Sequence, residues 1–181
     1  MTVLSILAGL LYANAVEWVL HKHLLHGLGR DRDSVWSFHF HEHHKASRRN
    51  DMIDADYDRA LLGNHAQGKE ALGLALLAVA HAPLLAVAPL FTATVWASGL
   101  LYYTRHRRAH RDAEWGREHL PWHYDHHMGP TQDANWCVTF PWFDLIMGTR
   151  KRYVGTPREA RDRHTRAARA ERRAEQDPTA A

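Results

Sequence analysis

The chain has 181 residues, in which 23 Lys and Arg nearly cancel 20 Asp and Glu, and 16 residues are histidine. That length suits one domain able to bury a core and argues against a second. The single cysteine, Cys137, excludes an intramolecular disulfide and a thiolate-rich metal site, so imidazole must carry any metal bound here.

Mean hydropathy is −0.47, but the average hides segregation. Residues 2–16, "TVLSILAGLLYANAV", carry no charge, and with "EWVL" they reach about 19 residues, the length of a membrane-spanning helix. A signal peptide would need a basic leading region and a small-residue cleavage site, and this stretch has neither, so it reads as a retained membrane helix. Its end, "EWVLHKHLLHG", places His21 and His26 at HxxxxH spacing, with Gly27 expected as the helix cap. The polar segment that follows carries "SFHFHEHHKASRRND", with His39, His41, His43 and His44.

The second apolar stretch, residues 71–104, has no charge between Glu70 and Arg105. As one helix it would be roughly 50 Å long, too long for a single crossing. Pro83 and Pro89 fall near its middle, where proline breaks a helix. The expectation is a hairpin of two short helices, about 71–82 and 90–104, turning at "APLLAVAP". A hairpin returns the chain to the face it left, so the histidines before and after it can meet. Lys and Arg crowd that face, which the positive-inside rule places in the cytoplasm.

Beyond the hairpin, His106 and His110 are four apart, about 40° around a continuing helix. "HYDHH" then places His123, His126 and His127 on one helical stripe, and His119 precedes them by one turn. A purification tag would be terminal and unpatterned. A solvated polar face would explain one such pair, but four clusters at ligand spacing on one membrane face point to metal. Imidazole serves zinc, copper, iron or nickel alike, and ten histidines exceed one zinc site but give two metals about five ligands each.

His119 reads as a supporting or surface residue, and His23, His65 and His164 as solvated. His81, inside the hairpin, reads as a helix-packing histidine rather than a haem ligand or proton site. Glu17, Glu42, Asp125 and Asp144 lie near the motifs and are candidates to hold the outer nitrogen of a metal-bound imidazole. Trp18, Trp96, Trp122, Trp136 and Trp142 suit interfacial anchors, with Trp122 and Trp136 as candidate pocket walls. Residues 157–176 form an Arg-rich helical tail. Its acids are interleaved and it lacks aromatics, so it suits a solvated helix near anionic lipid and not a nucleic-acid arm. The terminal "PTAA" is expected to fray.

The order HxxxxH, a cluster ending in HH, a hydrophobic hairpin, HxxxH and HxxHH resembles the fatty acid hydroxylase and sterol desaturase superfamily. These are integral membrane non-haem di-iron oxygenases. The segment "NWCVTFPWFDLIMGTR", residues 135–150, is similar to the family's stretch after its last histidine box, and the likeness runs from about 10 to 152. The resemblance implies an all-α membrane domain over 1–156, with the charged tail at 157–181. It also implies two irons, dioxygen as co-substrate, a lipid substrate and a separate electron donor of ferredoxin or cytochrome b5 type. Carried over, the ligands are His21, His26, His39, His43, His44, His106, His110, His123, His126 and His127.

Two departures stand out. Phe40 occupies the place where HxxHH would have histidine, which leaves His39 or His41 as leading ligand; His39 is preferred because residues four apart share a helix face. Three membrane segments stand where the family usually has four, which leaves room for a homo-oligomer. Hydroxylation, desaturation and non-enzymatic metal binding are the functions to separate. A metal transporter would carry ligands within its spans, and a haem electron carrier would oppose histidines inside a bundle.

Overall fold

The computed structural model describes residues 2–176, and the "PTAA" terminus lies outside them. Every regular element among the described residues is helical. The first helix, α1 (Thr2–Val19), runs on through a π-helical turn, Leu20–Gly27, and a 3-10 turn, Leu28–Arg30. Gly27 therefore does not end the helix as a left-handed cap; its φ is −65° and the chain continues winding. A second π turn, His39–His43, leads into α2 (His44–Arg49).

The hairpin forms from α3 (Ala66–His81) and α4 (Pro89–Ala109), joined by a 3-10 turn over Ala82–Ala86. Each arm extends past the apolar run at its polar end. His65 starts α3 early, because it is buried and its Nδ1 accepts the Gly68 N–H at 3.2 Å, so this histidine is a cap and not a solvated residue. At the other end α4 winds past Arg105 to carry His106 into the polar layer. Pro89 opens α4 at the position where its missing N–H costs nothing.

Among the described residues two stretches are long and apolar enough to cross a membrane, Thr2–Arg30 and Ala66–Ala86. The third expected segment, α4, is the return arm, and its last turn is charged with Arg107 and Arg108. Leu4, Leu76, Val79 and Leu100 are each more than half exposed, so these helices turn apolar side chains outward as lipid-facing helices do. Close approach of α1 to α4 depends on Gly9, where an added Cβ would sit 2.9 Å from the Thr94 Cβ.

The polar end is a cap of short helices: α5 (Ala113–His119), α6 (Pro121–Met128) and α7 (Trp142–Ile146), with α8 (Pro157–Gln176) outside them. Its apolar core is small, centred on Met52, Leu120, Tyr124, Val138 and Tyr153. The first half of α8 is docked and not freely solvated. Glu159 is buried and takes two hydrogen bonds from Arg117, while Arg163 pairs with Glu114 at 2.6 Å and Arg166 with Asp51 at 2.9 Å.

Candidate metal centre

Residues five apart lie about 140° apart on an α-helix, so HxxxxH would point its histidines in different directions. The π turn removes this difficulty, because its wider i→i+5 winding stacks residue i+5 over residue i. His21 and His26 thus come within 5.1 Å, ring to ring. The same device operates at His39–His43, where His39 Nε2 meets His44 Nε2 at 3.2 Å. The preference for His39 rested on its four-residue spacing to His43, but the pairing is with His44, five residues on. His41 turns away and its Nε2 lies 2.9 Å from the Arg30 carbonyl.

Ten histidines converge as two adjoining groups. His21, His26, His39, His44 and His126 offer ring nitrogens within 4.8 Å of one another, as do His43, His106, His110 and His127. His123 joins the second group, with its Nε2 3.0 Å from His110 Nε2. Neighbours on a helix point about 100° apart, so each HH doublet divides: His44 and His126 face the first group, His43 and His127 the second. The expected single stripe of His123, His126 and His127 is therefore shared between groups. The two groups touch where His44 and His127 stack at 4.2 Å. His119 stays outside, stacked on Trp115 and exposed.

The outer nitrogens of five of the rings are held by fixed acceptors. His21 Nδ1 donates to the Trp136 carbonyl at 2.6 Å and His126 Nδ1 to the Ala134 carbonyl at 2.7 Å. Asn135 between them has φ +60°, a turn that lets both flanking carbonyls face imidazoles. His110 Nδ1 donates to the carbonyl of Met52, itself at φ +80°. His43 Nδ1 pairs with Asp54 and His106 Nδ1 with Glu70, each at 2.7 Å. A proton on Nδ1 leaves the Nε2 lone pair pointing inward, the tautomer a metal ligand requires.

Several inward nitrogens have no partner at all: Nε2 of His43, His106 and His127 are buried and unsatisfied. Others face each other at 3.0–3.2 Å, as His21 with His39, His26 with His44 and His44 with His126. Two nitrogens each about 2.1 Å from one ion and at right angles to it are about 3.0 Å apart, so the spacing fits shared coordination. Burial, reinforced by neighbouring imidazoles, holds His39, His44, His123, His126 and His127 well below the ordinary histidine range, so they stay neutral donors. Both groups could hold a metal ion, and neither contains sulfur.

The acids singled out by position in the sequence do other work. Glu17 accepts from the backbone of Val138 and Thr139, Asp125 from Tyr153 and Val154, and Asp144 from Trp136 and Cys137. Glu42 faces Lys69 on the surface. None of the four holds an imidazole; they clamp the chain that carries the carbonyls. Asp54 and Glu70 are the carboxylates on the rings, and their signal in the sequence was an acidic loop and the lone acid entering the hairpin. Trp18 and Trp136 are buried too, and Trp136 packs 4.9 Å from the His26 ring as a wall, not a lipid anchor. Asp144→Ala is expected to leave two buried N–H groups unpaired, at about 1–3 kcal/mol each. Thermal unfolding in detergent should show a drop of several degrees, together with faster metal loss to a chelator.

A cavity of about 670 Å³ lies between α1, α3 and α4, with walls such as Val16, Leu20, Leu74 and Leu77 and with His21 and His39 on its lining. Apolar helices, a buried sulfur-free set of ten imidazoles and an apolar cavity beside it define a membrane-associated protein whose histidine clusters could hold metal. The chain belongs to the fatty acid hydroxylase family, whose sequence profile matches residues 6–149 and so includes all ten histidines. That family consists of oxidoreductases, hydroxylases and desaturases, that are typically iron-dependent. Searches of curated proteins and of solved structures gave no match.

Proposed function

We propose that this protein is an oxygen-dependent lipid hydroxylase with two irons. One is held by His21, His26, His39, His44 and His126, the other by His43, His106, His110, His123 and His127. The observation that carries this reading is the division of ten buried imidazoles into two touching groups beside an apolar cavity. Two reduced irons so held would supply the activation of dioxygen that an unactivated C–H bond needs. Dioxygen, the C–H bond, two electrons and two protons give an alcohol and water.

The chain's own residues do the rest. Leu20, Leu74 and Leu77 bind the substrate's apolar length and keep water from the carbon to be oxidised. Asp54, Glu70 and the carbonyls of Met52, Ala134 and Trp136 hold the proton on Nδ1 of His43, His106, His110, His126 and His21 and orient those five rings. The electrons come from a separate donor of ferredoxin or cytochrome b5 type, docking on the basic cap, which faces the cytoplasm by the positive-inside rule.

The test compares lipids of a host expressing the wild-type chain with one expressing His126→Ala. A lipid richer by one oxygen only with the wild type is expected. A new double bond would instead mark a desaturase, and identical lipidomes would contradict an oxygenase.

A further inference from the structure

The cavity continues away from the histidines to Tyr12 and His81, and its polar groups there follow one rule. Tyr12 precedes His21 by nine residues on the same helix, about 13 Å along its axis. His81 Nδ1 lies 2.7 Å from the Leu77 carbonyl, which can only accept, so Nδ1 carries the proton. In the neutral ring Nε2 is then an acceptor, and it takes the Tyr12 hydroxyl proton at 2.9 Å. The tyrosine oxygen keeps lone pairs but has no hydrogen left to give.

The neighbouring donors are committed as well. Trp96 Nε1 donates to the Ala78 carbonyl at 3.0 Å and Ser98 Oγ to the Thr94 carbonyl at 2.9 Å. This end of the cavity therefore offers acceptors to a ligand and withholds donors. A carboxylate, ester or ketone placed there would lose its water without replacement, whereas an alcohol O–H finds a partner.

We propose that the Tyr12–His81 pair is a hydroxyl-reading subsite, and that the lipid it selects carries an alcohol about 13 Å from the carbon presented to the histidines. This rests on the reading of the cavity as the lipid site. The backbone carbonyl of Leu77 sets the preference by fixing the His81 tautomer, which in turn orients the tyrosine hydroxyl.

The full chain, in detergent, is equilibrated with equimolar dodecanol, dodecyl methyl ether and dodecane, and the retained ligand is quantified by gas chromatography. The wild type should retain the alcohol about tenfold over the ether, the size of one net hydrogen bond. His81→Leu frees the tyrosine hydroxyl to donate, so alcohol and ether should be retained alike and both above dodecane. Tyr12→Phe combined with His81→Leu should abolish preference among all three. An alcohol preference that survives in both variants, or no preference in the wild type, overturns the subsite. Retention needs no turnover, so iron content and lipid products judge the oxygenase reading separately.

Discussion

His43→Ala is expected to remove one metal ion and leave the other. His43 belongs to the second group only, with Nε2 facing inward and Nδ1 on Asp54. Its loss opens that group and leaves the buried Asp54 carboxylate without its ring. The first group keeps all five of its imidazoles. Iron should fall from two per chain to one, with product formation lost and helical circular dichroism kept. His44→Ala is the mirror experiment, emptying the first group. Loss of both ions from either variant would mean that the groups do not load separately.

Acid should unfold the metal-free chain far more readily than the loaded one. Burial holds His39, His44, His123, His126 and His127 well below the ordinary value of 6.5. Below that value the unfolded chain binds protons that the folded chain refuses, so protons favour unfolding. Stability is complete above 6.5 and is lost as the pH falls, by about 1.4 kcal/mol per pH unit for each imidazole that stays neutral when folded. Metal occupies the same lone pairs and must be displaced first, which moves the loss to lower pH. Unfolding temperatures of chelator-treated and untreated protein between about pH 5 and 8 should therefore diverge on the acid side. A flat profile for the treated chain would contradict buried neutral imidazoles.

The hairpin was readable because two prolines interrupt a run too long for one crossing, and its turn at Ala82–Ala86 lies where they predict. That geometry also brings histidines about eighty to a hundred positions apart in sequence to one end of the molecule. The division into two groups was not readable. It depends on two π turns, which convert a five-residue spacing that an α-helix would splay, and no propensity in "LHKHLLHG" or "HFHEH" announces them. Nearness in sequence misled for the acids. Asp125 is adjacent to His126 yet points back to Tyr153, while Glu70 reaches His106 across 36 positions through α3–α4 packing. Likewise α8 reads as solvated by composition, and its docking shows only in tertiary pairings such as Arg117 with Glu159 and Arg163 with Glu114.

X-ray absorption with metal quantification on the intact purified chain reads the occupancy and ligands of the two histidine groups. Two irons per chain are expected, each surrounded by nitrogen and oxygen at about 2.1 Å, with imidazole scattering and no sulfur shell. One metal per chain, zinc alone with no oxygen uptake, or haem absorbance would contradict the two-iron reading.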